Sequence, residues 1–140
     1  MKSNVKKVLC ASLLTIFCSA THAEVAVIVN PANADAITKD DIASLYLAKT
    51  KTFPGGKNAI PLDRPEGSPT RVEFVSKVID KEEAQMKSYW SRLIFTGKGV
   101  PPKVVETDAE VKDMVARNPD TIGFIDAAAA DATVKVVAKF

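Results

Sequence analysis

Apolar residues along this chain change spacing repeatedly, and each change marks an element. Val25 to Val29 is an unbroken, largely β-branched run bounded by Asn30-Pro31. That is the pattern of a strand buried on both faces, and so central to a sheet. Helical spacing follows at Ile42, Leu45 and Tyr46, with Thr38 as N-cap, Asp41 closing a capping box, and Ile37 with Ile42 as a hydrophobic staple. Gly55-Gly56 turns the chain into a second strand, Ala59 to Asp63. The stretch Arg64-Pro65-Glu66-Gly67-Ser68-Pro69-Thr70 then opens a helix carrying Val72, Val75, Val78 and Ile79, with Ser68 in the N-cap place and Pro69 at the first helical position. Asp80 with Glu83 signals a further capped start, and Met86, Tyr89, Trp90, Leu93 and Ile94 continue on helical spacing to a C-cap at Gly97. The Tyr89 and Trp90 rings read as packing rather than a ligand platform.

Pro101-Pro102 precedes a short strand, Lys103 to Val105, and Thr107 with Glu110 starts a helix through Val111, Met114 and Val115 that ends at Asn118-Pro119. Thr121 to Ile125 is a strand with Gly123 where another backbone approaches closely. The Ala-rich Asp126 to Asp131 is a short helical turn, and Thr133 to Ala138 a last strand. Strands alternating with helices predict an α/β domain.

The first 23 residues read differently. Lys2, Lys6 and Lys7 precede an apolar run from Val8 to Cys18, and Thr21-His22-Ala23 offers small residues where a signal peptidase reads. Residues 1–23 are thus expected to be a signal peptide cleaved after Ala23, with 24–140 as one domain. The apolar run is too short to span a membrane. A lipoprotein signal is disfavoured by bulky Phe17 before Cys18. Removing 23 of 140 residues leaves 117, enough for one ordinary core, and takes away both cysteines and the only histidine. No thiolate, disulfide or imidazole chemistry is left, so neither a metal site nor a cofactor is expected. Of 19 basic residues, 16 remain against 17 acidic ones, a net charge near −1. No basic stripe suggests nucleic acid or a membrane surface. An exported, cysteine-free chain fits a bacterial periplasm.

Candidate chemistry concentrates in the Arg64 to Thr70 loop. The first N–H groups of a helix lack internal partners and carry the positive end of its dipole, so this terminus, flanked by hydroxyls and a guanidinium, suits an oxyanion. The plainer alternative is that Ser68 and Thr70 only cap the helix and Arg64 only pairs with Glu66. A Ser68 nucleophile would need a base, and with no histidine only a lysine such as Lys57 could serve, so no enzyme is predicted.

Arg-x-Glu-Gly-Ser-x-Thr between a strand and a helix resembles the phosphate-gripping loop of the periplasmic phosphate-binding proteins of ABC transporters, Arg-x-Asp/Glu-x-Ser-Gly-Thr. Thr38 to Lys49 resembles that family's segment ending Ile-Phe-x-Gly-Lys, and Asn118-Pro119-Asp120-Thr121-Ile122-Gly123-Phe124-Ile125 its Asn-Pro-x-x-Ile-Gly-Tyr strand. The resemblance implies a three-layer single lobe, like one domain of a type II periplasmic binding protein. It implies ligand contacts from Arg64, Ser68, Thr70 and Arg71, with Glu66 and Gly67 orienting the loop and Glu66 holding Arg64. Inorganic phosphate or a similar oxyanion would be the ligand, and an ABC transporter or another envelope protein the partner. Two departures stand out. Pro69 replaces the family's glycine and removes one N–H donor. The chain also has the length of one lobe where the family has two. Weak binding by a half-cage, tight binding by a homodimer or a partner-completed cleft, and a ligand-free scaffold are the readings left open.

Overall fold

The computed structural model describes residues 24–140. The predicted leader, its cleavage point at Ala23, both cysteines and the histidine lie outside the described residues. Strand β1 (Val25–Val29) is buried along its whole length, as its unbroken apolar run requires. It pairs antiparallel with β4 (Thr121–Asp126) on one side and β5 (Lys135–Lys139) on the other. Strand β2 (Ile60–Asp63) lies parallel to β4, and the two-residue β3 (Lys103–Val104) lies parallel to β2. The sheet is therefore mixed, in the order β3-β2-β4-β1-β5.

Alternate residues of a strand face opposite sides, so β1 feeds two cores. Val25, Val27 and Val29 pack with Ile42, Phe74 and Trp90 from α1 (Lys39–Tyr46), α2 (Pro69–Lys77) and α3 (Glu83–Phe95). Ala26 and Ile28 pack on the other face with Val111 and Val115 of α4 (Asp108–Arg117). That gives three layers, and the 3₁₀ turn Ala127–Ala129 follows β4 on the α4 side. No helix among the described residues is long and apolar enough to cross a membrane.

Several local expectations hold for the reasons that suggested them. Thr38 and Asp41 form the capping box of α1, and the Thr107 side chain accepts from the Glu110 N–H at the start of α4. Gly97 has φ +66 and ends α3, where the Lys98 N–H reaches back to the Leu93 carbonyl. Others need correction. Helix α2 buries Arg71, Phe74 and Val75, while Val72 is exposed, because the face set by 71, 74, 75 and 78 turns Val72 outward. Helix α3 starts two residues beyond the expected cap, at Glu82, which exchanges capping bonds with Gln85. Asp80 instead takes a left-handed φ of +57 after α2, with the Lys81 N–H bonded to the Val75 carbonyl. Ile94, placed on the inner face by spacing alone, is exposed.

Helix α4 packs closely on the sheet at Gly123. A Cβ there would lie 2.6 Å from Val111 Cγ1. Gly123→Ala should therefore push α4 off β4 and cost about 1–3 kcal/mol, as overpacking does. The check is a lower urea midpoint with an unchanged slope.

Candidate functional site

The loop between β2 and α2 is built by local rules. Pro65 and Gly67 turn it, Gly67 at φ +79, and the Ser68 N–H closes the turn on the Pro65 carbonyl at 3.1 Å. Ser68 occupies the N-cap position with an extended backbone, and Pro69 opens the helix. The Ser68 side chain makes no capping bond, and its Oγ is buried without a partner. The Thr70 and Arg71 N–H groups find no acceptor among the described residues, as the first turn of a helix leaves them. Two amides and a hydroxyl are thus unspent at one helix start.

Arg64 is buried, and its guanidinium turns toward the segment entering α4. Nε donates to the Val105 carbonyl at 3.1 Å, Nη2 to the Glu106 carbonyl at 3.1 Å, and Nη1 pairs with Asp108. The carboxylate that orients Arg64 is therefore Asp108, and the expected role of Glu66 is corrected. Glu66 is exposed and faces Lys87 at 3.7 Å. The reason lies in position: Asp108 stands in the first turn of α4, directly across from the end of β2, whereas Glu66 rides on the outside of the turn. Three of the five N–H donors of Arg64 are used, leaving one on each terminal nitrogen.

Arg71 is likewise buried and paired twice. Nε donates to Asp63 at 3.1 Å, and Nη1 pairs with Glu83 at the start of α3. Burial pushes the Asp63 carboxyl above its ordinary range, and the Arg71 charge opposes that shift without cancelling it. Tyr46 steadies the same strand end from below. Its hydroxyl donates to the Leu62 carbonyl at 2.8 Å and lies 3.3 Å from that of Ile122, so it ties β2 to β4. Full burial raises its phenol well above the usual value.

Arg64 and Arg71 both line a groove of about 270 Å³ closed on its far side by Met86, Trp90, Pro102 and Val104. Its charges balance, with Asp63, Glu66 and Glu83 against Arg64, Arg71 and Lys87. Arg64 and Arg71 thus share one groove, with Glu66 on its rim, while Ser68 and Thr70 sit at the helix start beside it. The sequence reading missed Asp63, Glu83 and Asp108, whose carboxylates decide where the arginines point. Asp63 precedes Arg64 directly, and Asp108 and Glu83 are acidic residues in first helical turns. That signal is present in the sequence, where Glu83 reads only as part of a helix cap and Asp63 only as a strand end. Among the described residues no cluster of three or more metal-ligating side chains occurs.

No protein-family model matches the chain, and no curated protein matches it in sequence. Solved structures do match its fold. An ABC-type phosphate transport receptor from Vibrio cholerae aligns at 21% identity and TM-score 0.61, over 82% of this chain and 46% of that one. A Clostridium perfringens protein described as a phosphate ABC transporter substrate-binding protein, with bound phosphate, aligns at 20% identity and TM-score 0.64, over 82% and 45%. PstS from Borrelia burgdorferi aligns at 20% identity and TM-score 0.52, over 74% and 41%. This chain spans less than half the length of each. It has the α/β fold of one lobe of the phosphate-binding proteins that serve ABC transporters.

Proposed function

We propose that this protein is an exported binding module for a small oxyanion, with inorganic phosphate the leading ligand, and that it works in the periplasm beside an ABC transporter or another envelope protein. The reading is supported above all by the unspent donors at the start of α2: the Thr70 and Arg71 amides, with the partnerless Ser68 hydroxyl beside them, which is closed to solvent and meets a ligand only once the loop opens. A buried hydroxyl without a partner costs about 1–3 kcal/mol, so its retention calls for a use. The amides lie at the positive end of a nine-residue helix, which favours an anion. The Thr70 hydroxyl sits on the first turn, whereas Arg64 points its guanidinium toward the segment entering α4 and serves the loop by position. The fold match to proteins named for phosphate, one of them with phosphate bound, supports the same ligand class. The reading is of a binder rather than a catalyst, supported by fold neighbours named as a transport receptor and a substrate-binding protein.

Binding of this kind is expected to be weak. Pro69 lacks one donor, and Asp63, Glu66 and Glu83 offset the three cations of the adjoining groove. Phosphate titrated by calorimetry at low salt should bind, and should raise the melting temperature by mass action. Ser68→Ala should weaken it about ten- to a hundred-fold, the worth of one charge-assisted hydrogen bond. Glu66→Gln should tighten it a few-fold by removing one exposed negative charge, roughly 0.2–1 kcal/mol. No heat and no thermal shift at millimolar phosphate would reject the proposal.

A specific observation favours a second reading. Arg64 and Arg71 are both engaged by internal acceptors, and this suits a scaffold that contacts an envelope partner without a small ligand. Capture of such a partner from envelope extract, unaffected by Ser68→Ala and by phosphate, would support it.

A further inference from the structure

The groove that holds Arg64 and Arg71 is the middle one of three hollows along the β3 edge of the domain. It shares Trp90 and Pro102 with a hollow on one side and Val104 with a hollow on the other. The first flanking hollow carries two cations, Lys51 and Lys98, and no acid. The second carries Glu106, Glu110 and Asp113 against Lys103. Formal charge therefore runs +2, 0, −2 along the row. Exposed apolar side chains line it: Val100, 85% exposed, in the cationic hollow, Ile94, 55%, in the middle one, and Val104, 51%, between the middle and the anionic one, while Phe95, 93% exposed, follows Ile94 in the chain. They are four of the six large apolar residues exposed in the described domain, and all fall between positions 94 and 104. Among the described residues strand β3 is also an end strand, paired only with β2, so its outer backbone edge is unpaired there.

We propose that this face is the interface of a homodimer, in which a second copy of this chain lies across the middle hollow. A surface with a charge-balanced centre, a cationic end and an anionic end complements itself. A twofold axis crossing the row at its centre sets the Lys51–Lys98 end of each copy against the Glu106–Asp113 end of the other. Ile94 and Val104 are then buried at the middle, and the charges at the ends fix orientation and speed encounter. A translational stacking with the rows in the same direction would oppose like charges at both ends. The arginine groove is enclosed between the two copies in this arrangement. The inference stands apart from the phosphate reading, because the association is measured without ligand.

Sedimentation equilibrium of the full chain, from about 1 to 200 μM in low salt and then in 0.5 M salt, tests it. The expected result is a dimer whose dissociation constant rises with salt, as screened rim charges require. Ile94→Asp combined with Val100→Asp should leave a monomer throughout, with an unchanged circular dichroism spectrum because both residues are exposed. Lys98→Glu should weaken the dimer about ten-fold or more, and adding Glu110→Lys should restore much of the loss. A wild-type monomer at 200 μM, or a dimer indifferent to the paired aspartates, overturns the proposal. Failure of Glu110→Lys to compensate overturns the antiparallel pairing. Phosphate binding by a protein that stays monomeric would sustain the functional reading and reject this one.

Discussion

Arg64→Ala is expected to destabilise the domain by about 3 kcal/mol or more, the scale of breaking a buried ion pair by removing one partner. The guanidinium is 8% exposed and spends three donors on acceptors 41 to 44 residues away in the chain. Its loss strands two carbonyls, of Val105 and Glu106, and leaves the Asp108 carboxylate without its cation. Asp108 is about a quarter exposed, so water recovers part of its solvation and keeps the cost near the lower end of the range. Arg64→Lys should recover little, since a single ammonium cannot reproduce the fork across two carbonyls and a carboxylate. Urea unfolding of the three proteins checks this, and hydrogen exchange should show the loss first at the start of α4. A cost below about 1 kcal/mol would mean that Arg64 is free for other work. The prediction also bears on the binding test. A drop in phosphate affinity in Arg64→Ala cannot separate a lost ligand contact from a loosened loop. Ser68→Ala is the cleaner probe, because Ser68 Oγ holds nothing in the fold.

The order and type of the elements were legible because their signals are local. The apolar run of β1, the Thr38-Asp41 and Thr107-Glu110 caps and the Gly97 stop each act within a few residues. Strand pairing was not. That β1 runs antiparallel to both neighbours while β2 runs parallel to its own follows from chain paths no local pattern encodes. The site divides the same way. The loop, its turn at Gly67 and the helix start at Pro69 were readable from residues 64–70. The partners of its arginines were not, since Asp108 stands 44 residues from Arg64 in sequence and Glu83 twelve from Arg71. Glu66, two positions on, is the partner that sequence proximity suggests for Arg64. Tertiary placement chose Asp108, and with it an arginine whose first duty is to join β2 to the start of α4.

The largest loss from a single truncation should come from Phe74→Ala, at about 3–5 kcal/mol, the usual cost of removing a fully buried aromatic ring. Phe74 stacks on Phe124 with ring centroids 3.9 Å apart and meets Tyr46 edge-on at 4.7 Å, while Tyr46 meets Phe124 at 5.7 Å. The three rings come from α2, β4 and α1, so the cluster is where two helices and the sheet register on one another. All three are 2% exposed or less, so neither water nor a neighbour fills the space cheaply. Domains of this size are stable by roughly 5–15 kcal/mol in total, so the variant should be marginal at room temperature. Phe74→Leu should retain most of the burial and lose the aromatic contacts, about 1–2 kcal/mol by that difference. The consequence reaches the candidate site. Tyr46 leans on Phe74 and clamps the Leu62 carbonyl, one residue before Asp63 and two before Arg64. A cavity at Phe74 should therefore loosen the end of β2 before it unfolds the sheet. Hydrogen exchange in Phe74→Ala should quicken at residues 62–64 while β1 stays protected. Equal quickening in both would show that the rings hold the whole core rather than the strand end that carries the site.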